Sequence, residues 1–153
     1  MATEDPNVLK AIIHPLGLPQ RVNTMMEMVS LLTRLHKGRT PANYEELRAL
    51  PGVGDYIASA VCTFAFGQPI ILVDTNTVRI IGRIYGITTD AESRRKRPIR
   101  DLHQQLLDRE RPRQYNLALL DLGAIICTPR NPQCAGCPIN DLCTYPRNKR
   151  IRP

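Results

Sequence analysis

Leu50-Pro51-Gly52-Val53-Gly54 interrupts a helical pattern that runs from Thr40-Pro41 through Tyr44 and Leu47. Asp55 restarts a helix in which Ile57, Ala60, Val61 and Phe64 form one apolar face. The stretch therefore encodes two helices joined by a tight, glycine-bearing hairpin. Gly52 and Gly54 let the backbone come close to an anion, and the free N–H groups opening the second helix point at it. Such a contact reads phosphate backbone and carries no base sequence. An ordinary αα-hairpin turn has the same five residues, so the context must separate the two.

Helical periodicity extends both ways from this turn, and no run of alternating strand residues interrupts it. The expected fold class is all-α. Asp5-Pro6 opens a short helix carrying Val8, Ile12 and Ile13, and Pro19-Gln20 leads into a longer one with Val22, Met25, Met26, Val29 and Leu32, ended by Gly38. Thr40-Pro41 starts the next in cap-then-proline style. Downstream, Phe66-Gly67-Gln68-Pro69 ends the hairpin's second helix and Ile70 to Val73 forms a buried apolar connector. Asp74-Thr75-Asn76 then precedes a helix with Val78, Ile81, Ile84 and Tyr85, closed by Gly86. Asp74 thus lies at a helix N-terminus, where the dipole favours its ionised form. Two roles fit it: a helix N-cap, or a carboxylate that stabilises cationic character as a glycosidic bond breaks or orients the attacking water.

The 153 residues, 42% of them apolar, suffice for a core without disulfides. The charge of +7 and pI near 9.5 point to a polyanionic partner. Arginine supplies 17 of the 21 cations, and its fork suits phosphate oxygens. No apolar run is long enough to span a bilayer and the N-terminus is no signal sequence, so a soluble intracellular protein is expected, with arginine and proline richness that also suits a thermophilic prokaryote. Cys127, Cys134, Cys137 and Cys143 are spaced C-x6-C-x2-C-x5-C, a compact cradle that reads as an iron–sulfur ligand set in a reducing compartment. Four-thiolate zinc sites usually pair two C-x2-C steps, and one occurs here. Cys62, within the apolar helix, reads as a small core residue.

Together, LPGVG, the apolar helix, FGQP, VDTN and the cysteine cradle resemble the helix-hairpin-helix DNA glycosylases of the endonuclease III and adenine glycosylase superfamily. The resemblance runs from about Leu16 to Cys143, and NLALLDLGAIICTPRNPQCAGCPINDLC is similar to the family's closing helix and cluster loop. It implies a six-helix-barrel type domain over residues 1–115, N-terminally incomplete, and a closing helix with a [4Fe-4S] loop over 116–153. Cys127, Cys134, Cys137 and Cys143 would be the cluster ligands, and the rigid loop between the first two would offer Arg130 to phosphate. Leu50, Gly52, Val53 and Gly54 would grip the DNA backbone, Asn76 would assist in the pocket, and Asp74 and Tyr56 would be the catalytic pair.

Bifunctional members carry a Schiff-base lysine at the second position after the hairpin's last glycine. Here it is Tyr56, which implies a monofunctional glycosylase without lyase activity. The tyrosine and VDTN resemble the thymine mismatch branch, which removes T or U opposite G. The alternatives are an adenine glycosylase acting on A opposite G or 8-oxoguanine, and a noncatalytic DNA-binding fragment. The implied partner is double-stranded DNA, bound by a monomer away from membranes. Arg79 and Arg83, four apart on one helix, suit either phosphate contacts or a solvated face, and Arg94-Arg95-Lys96-Arg97 suits a loop near DNA. The family's opening helices would precede Asn7, so a piece of a longer enzyme is expected.

Overall fold

A computed structural model of the protein describes residues 5–90 and 92–145. Among these, every regular element is helical, and no helix is long and apolar enough to cross a membrane. The chain forms two compact units, Met1–Cys62 and Thr63–Pro153.

In the first unit, α1 (Pro6–Ile13) starts with Asp5 as N-cap, its carboxylate accepting the Asn7 N–H at 2.9 Å, and with Pro6 where the missing N–H costs nothing. It packs on α2 (Val22–His36). That helix ends with Lys37 and Gly38 both at positive φ. The following helix does not begin at Thr40-Pro41: α3 covers Tyr44–Arg48, and its cap is Asn43, whose side-chain oxygen accepts the Glu46 N–H at 3.0 Å. An Asx side chain at a helix start competes for the orphan donors better than a hydroxyl three residues upstream can. Val22, Leu47, Leu50, Ala58 and Cys62 are buried in this unit.

Helix α4 (Asp55–Phe66) follows the hairpin. Its buried face is Ala58, Ser59, Cys62 and Thr63, whereas Ile57 is 43% exposed. The apolar stripe expected at Ile57, Ala60, Val61 and Phe64 is therefore rotated. Small residues permit closer backbone approach, and here they, not the largest side chains, take the inside. Cys62 is fully buried as expected, its thiol 3.7 Å from the Ala42 carbonyl oxygen, and burial pushes the thiol's pKa up.

The second unit is built on α5 (Thr75–Tyr85), α6 (Arg97–Leu106) and α7 (Pro112–Asp121). Val78, Ile81 and Ile99 form its core with Val73 and Leu102 against them. The connector before α5 is buried yet not helical, so its backbone groups need partners from elsewhere. Asn116 on α7 supplies them: its Oδ1 accepts the Leu72 N–H at 2.8 Å, and its Nδ2 donates to the carbonyls of Ile70 and Pro112 at 3.0 and 2.8 Å. Thr63 adds an O–H bond to the Ile70 carbonyl at 2.8 Å. These bonds deliver Asp74 to the start of α5. Beyond α7 the chain widens into a π-helical turn, Leu122–Ile126, and then two 3₁₀ turns, Cys134–Gly136 and Asn140–Leu142. The basic run that suits a loop near DNA or plain solvated surface is partly neutralised, with Arg95 paired to Glu92 at 2.9 Å and Lys96 to Asp90 at 2.7 Å, and Arg97 begins α6.

Candidate glycosylase site and cluster cradle

The hairpin residues belong to the first unit. Leu50 is buried and its carbonyl accepts the Val53 N–H at 3.1 Å, which closes the turn. Gly52 sits at φ +77°, and a Cβ there would come within 2.9 Å of the Thr24 methyl, so both conformation and space demand glycine. Gly54 has open space around it, and its carbonyl accepts the Ala58 N–H at 3.0 Å to begin α4. Gly52, Gly54, Asp55 and Tyr56 are all exposed at the head of α4, with Tyr56 one residue inside the helix. Val53 is half-buried.

Asp74, Asn76, Arg130 and the four cysteines belong to the second unit. Asp74 is the N-cap of α5 in a reciprocal capping box: Oδ1 accepts the Thr77 N–H at 2.7 Å, and Thr77 Oγ1 accepts the Asp74 N–H at 3.0 Å. Its other oxygen, Oδ2, accepts from Asn76 Nδ2 at 3.1 Å. The two readings of Asp74 are thus compatible. One oxygen caps the helix, and the half-exposed carboxylate is held in place by the Thr77 N–H and Asn76 Nδ2. His103, fully buried on α6, lies within reach of the Asp74 charge. Burial lowers its pKa to about 4 against the raising pull of Asp74, so at neutral pH it is uncharged.

Arg79 extends this arrangement. Its Nη1 donates to Asn76 Oδ1 at 2.9 Å, its Nη2 to the Gly123 carbonyl at 2.9 Å and its Nε to the Cys127 carbonyl at 2.9 Å. Gly123 permits this approach, because a Cβ there would come within 2.9 Å of Asn76 Cβ. One turn later, Arg83 donates to Cys127 Sγ at 3.2 Å and to the Thr128 and Pro129 carbonyls at 2.8 Å each, and it lies 4.3 Å from the Tyr145 ring centroid. Neither arginine is a solvated face. Both hold the loop that carries Arg130, which is exposed. Nothing local to the two arginines marks this, since the carbonyls that they reach lie more than forty residues away.

The cysteines line one apolar hollow with Ile80, Ile84, Leu122, Ile126 and Ile139. The Cys137 N–H closes a turn onto the Cys134 carbonyl at 3.2 Å, and the Cys143 region is tied to the end of α5 by the Thr144 N–H to the Ile84 carbonyl at 3.2 Å. All four are free thiols and half-buried. Burial raises the Cys143 pKa, and the charges of Cys127, Cys137 and Cys134 push it the same way against a backbone bond at Tyr145. Four crowded sulfurs become thiolates together only around positive charge, the condition an iron–sulfur core meets. The residues therefore fit the [4Fe-4S] cluster expected from the sequence.

Comparison with known proteins agrees on both signatures. Residues 35–64 match a family model described as a helix-hairpin-helix motif, and residues 127–143 match the iron-sulfur binding domain of endonuclease III. The chain is 36% identical over 156 residues to a thymine-DNA glycosylase of Aeropyrum pernix, covering 97% of this chain and 68% of that protein. It is 36% identical over 134 residues to a thymine/uracil-DNA glycosylase of Methanothermobacter thermautotrophicus, covering 87% and 61%. The solved structure of a thermostable thymine-DNA glycosylase matches with a TM-score of 0.90 at 32% identity, over 96% of this chain and 68% of that one. The chain thus spans about two thirds of the length of these relatives. An exposed hairpin at the head of α4, a fixed carboxylate at the head of α5 and a four-thiol cradle tied to the flank and end of α5 thus stand in a chain that matches both family models and a glycosylase relative over nearly its whole length, and the chain belongs to the helix-hairpin-helix DNA glycosylase superfamily.

Proposed function

We propose that the protein is a monofunctional DNA glycosylase that removes thymine or uracil opposite guanine, acting as a monomer on genomic DNA inside the cell. The observation that carries the reading is Asp74: a half-exposed carboxylate pinned by Thr77 and Asn76 at the start of α5. Its fixed charge costs no reorganisation when positive charge develops on the sugar. Extrusion of the target nucleotide costs a few kcal/mol and least at a mispair, so a wobble pair is partly selected before the base is touched. As the C1′–N bond breaks, the bonding pair leaves with the base, Asp74 stabilises the oxocarbenium-like sugar, and water adds its oxygen at C1′ while its proton is released. Tyr56, exposed at the head of α4, stacks on or hydrogen-bonds to the base. A phenol forms no Schiff base, so the reaction stops at the abasic site.

The four cysteines hold the cluster, whose contribution when bound is to make the loop from Cys127 to Cys134 rigid. Arg79 and Arg83 fix that loop's first residues, and Arg130 reaches phosphate from it. Residues 116–153 accordingly serve as a closing helix and cluster loop appended to the glycosylase part. The names of the two curated relatives support T and U as targets.

Single-turnover assays of the cluster-loaded, full-length protein on duplexes carrying G:T, G:U and A opposite 8-oxoguanine test the reading. Excision of T and U with no borohydride-trapped adduct is expected. Release of adenine alone, or a covalent adduct, would overturn it.

A further inference from the structure

The first residue of α4 is an acid, Asp55, directly after the hairpin proposed to grip phosphate. A helix N-terminus favours an anion, and the nearest anion is this carboxylate rather than the DNA. Left to itself, Asp55 would occupy the N–H groups or repel the incoming phosphate. It is not left to itself. Arg48, the last residue of α3, places Nε 2.6 Å from Asp55 Oδ1, and its Nη1 donates to the Val53 carbonyl at 2.5 Å. Tyr44 adds its hydroxyl, which donates to the same Oδ1 at 3.2 Å. One guanidinium therefore holds both the turn's carbonyl and the acid, and neutralises the acid's charge.

We propose that Arg48 is a positioning residue of the hairpin: with Tyr44 it clasps Asp55 so that the opening N–H groups of α4 stay available to a DNA phosphate. The proposal rests on the reading of the hairpin as a phosphate grip. It makes the effect of losing Arg48 conditional on Asp55, which a direct arginine–phosphate contact would not do. Removal of Arg48 frees a carboxylate beside the phosphate. Neutralising that carboxylate removes the reason for the clasp.

The test is fluorescence anisotropy of a labelled G:T duplex with the full-length, cluster-loaded protein at several salt concentrations, with thermal melts to establish that each variant is folded. Arg48→Gln should weaken binding about threefold or more, as a bare charge near phosphate does. Asp55→Asn alone should bind at least as well as the parent, and Arg48→Gln with Asp55→Asn should recover most of the loss. Equal losses in the single and double variants, with a salt slope reduced by about one charge, would make Arg48 a direct phosphate contact and overturn the clasp. Gly54→Asp provides the separate check on the underlying reading, because it adds a charge in open space at the hairpin tip. Unchanged affinity in that variant would remove the hairpin from the DNA interface itself.

Discussion

Arg79 Nε donates to the carbonyl oxygen of Cys127 at 2.9 Å, and so joins the helix that begins at Asp74 to the first thiol of the cluster cradle. The same guanidinium reaches Asn76, which in turn donates to Asp74 Oδ2. A continuous chain of side-chain bonds thereby runs from the proposed catalytic carboxylate to the cluster loop. Helix α5 is its backbone, so the placement of the acid and of the loop are not independent properties.

Arg79→Met should keep much of the packing of the stem but lose three hydrogen bonds, two of them to carbonyls of the π-helical turn and the first ligand. A loss of about 2–3 kcal/mol in stability is expected from bonds made by a charged group. Iron content and visible absorbance should fall with it. Full cluster occupancy and unchanged stability in the variant would show that the loop holds itself.

Gly123→Ala should disturb the same junction from the other side. Its Cβ would meet Asn76 Cβ at 2.9 Å, a contact between two short side chains that cannot swing away. Overpacking of this kind costs about 1–3 kcal/mol. Glycosylase activity should drop along with thermal stability, because Asn76 is one of the groups that orient Asp74. A variant with parental melting temperature and activity would show that the turn shifts freely.

Asp74 has a structural and a proposed chemical task, and two substitutions separate them. Asp74→Asn retains a capping oxygen, so stability should change by less than about 1 kcal/mol, whereas Asp74→Ala should cost about 1–2 kcal/mol. Excision should fall in both by about 10²–10⁴-fold, since neither supplies an anion. Parental single-turnover rates for Asp74→Asn would remove this carboxylate from the mechanism.

His103 makes stability depend on pH. Its ordinary value of 6.5 falls to about 4 in the fold because burial, in part under the tilted Tyr115 ring at 5.7 Å, opposes charge, with Asp74 pulling the other way. Between those values the unfolded chain takes up a proton that the folded chain refuses. Stability therefore falls as pH drops from about 6.5 towards 4, by up to about 3 kcal/mol. Urea unfolding at pH 7 and pH 4.5, compared between the parent and His103→Leu, should show a smaller acid loss in the variant. Equal losses would mean that His103 already carries its proton in the fold.

The hairpin, the four-thiol spacing, the all-helical class and the position of Asp74 at a helix start were legible in the chain because each is a local matter. Glycine is needed where φ is positive or space is short, carboxylates cap helix starts, and cluster ligands sit at short intervals. The helix after the acidic-basic turn, α6, and the true start of α3 were less legible. Helix α6 is sharply two-sided but carries few apolar residues, and its start lies inside the basic run, while Asn43 outcompetes a cap signal that Thr40-Pro41 also carries.

Partnership over distance, by contrast, came from the packing of the helices. Arg79 and Arg83 read first as solvated charges and second as phosphate contacts until the carbonyls of Gly123, Cys127, Thr128 and Pro129 came into reach. Arg48 drew no reading from the sequence, and the fold brings its guanidinium to Asp55. Backbone carbonyls are present at every residue, so no residue type announces which of them an arginine will find. That choice is made by how the helices pack, and the packing is a property of the whole unit.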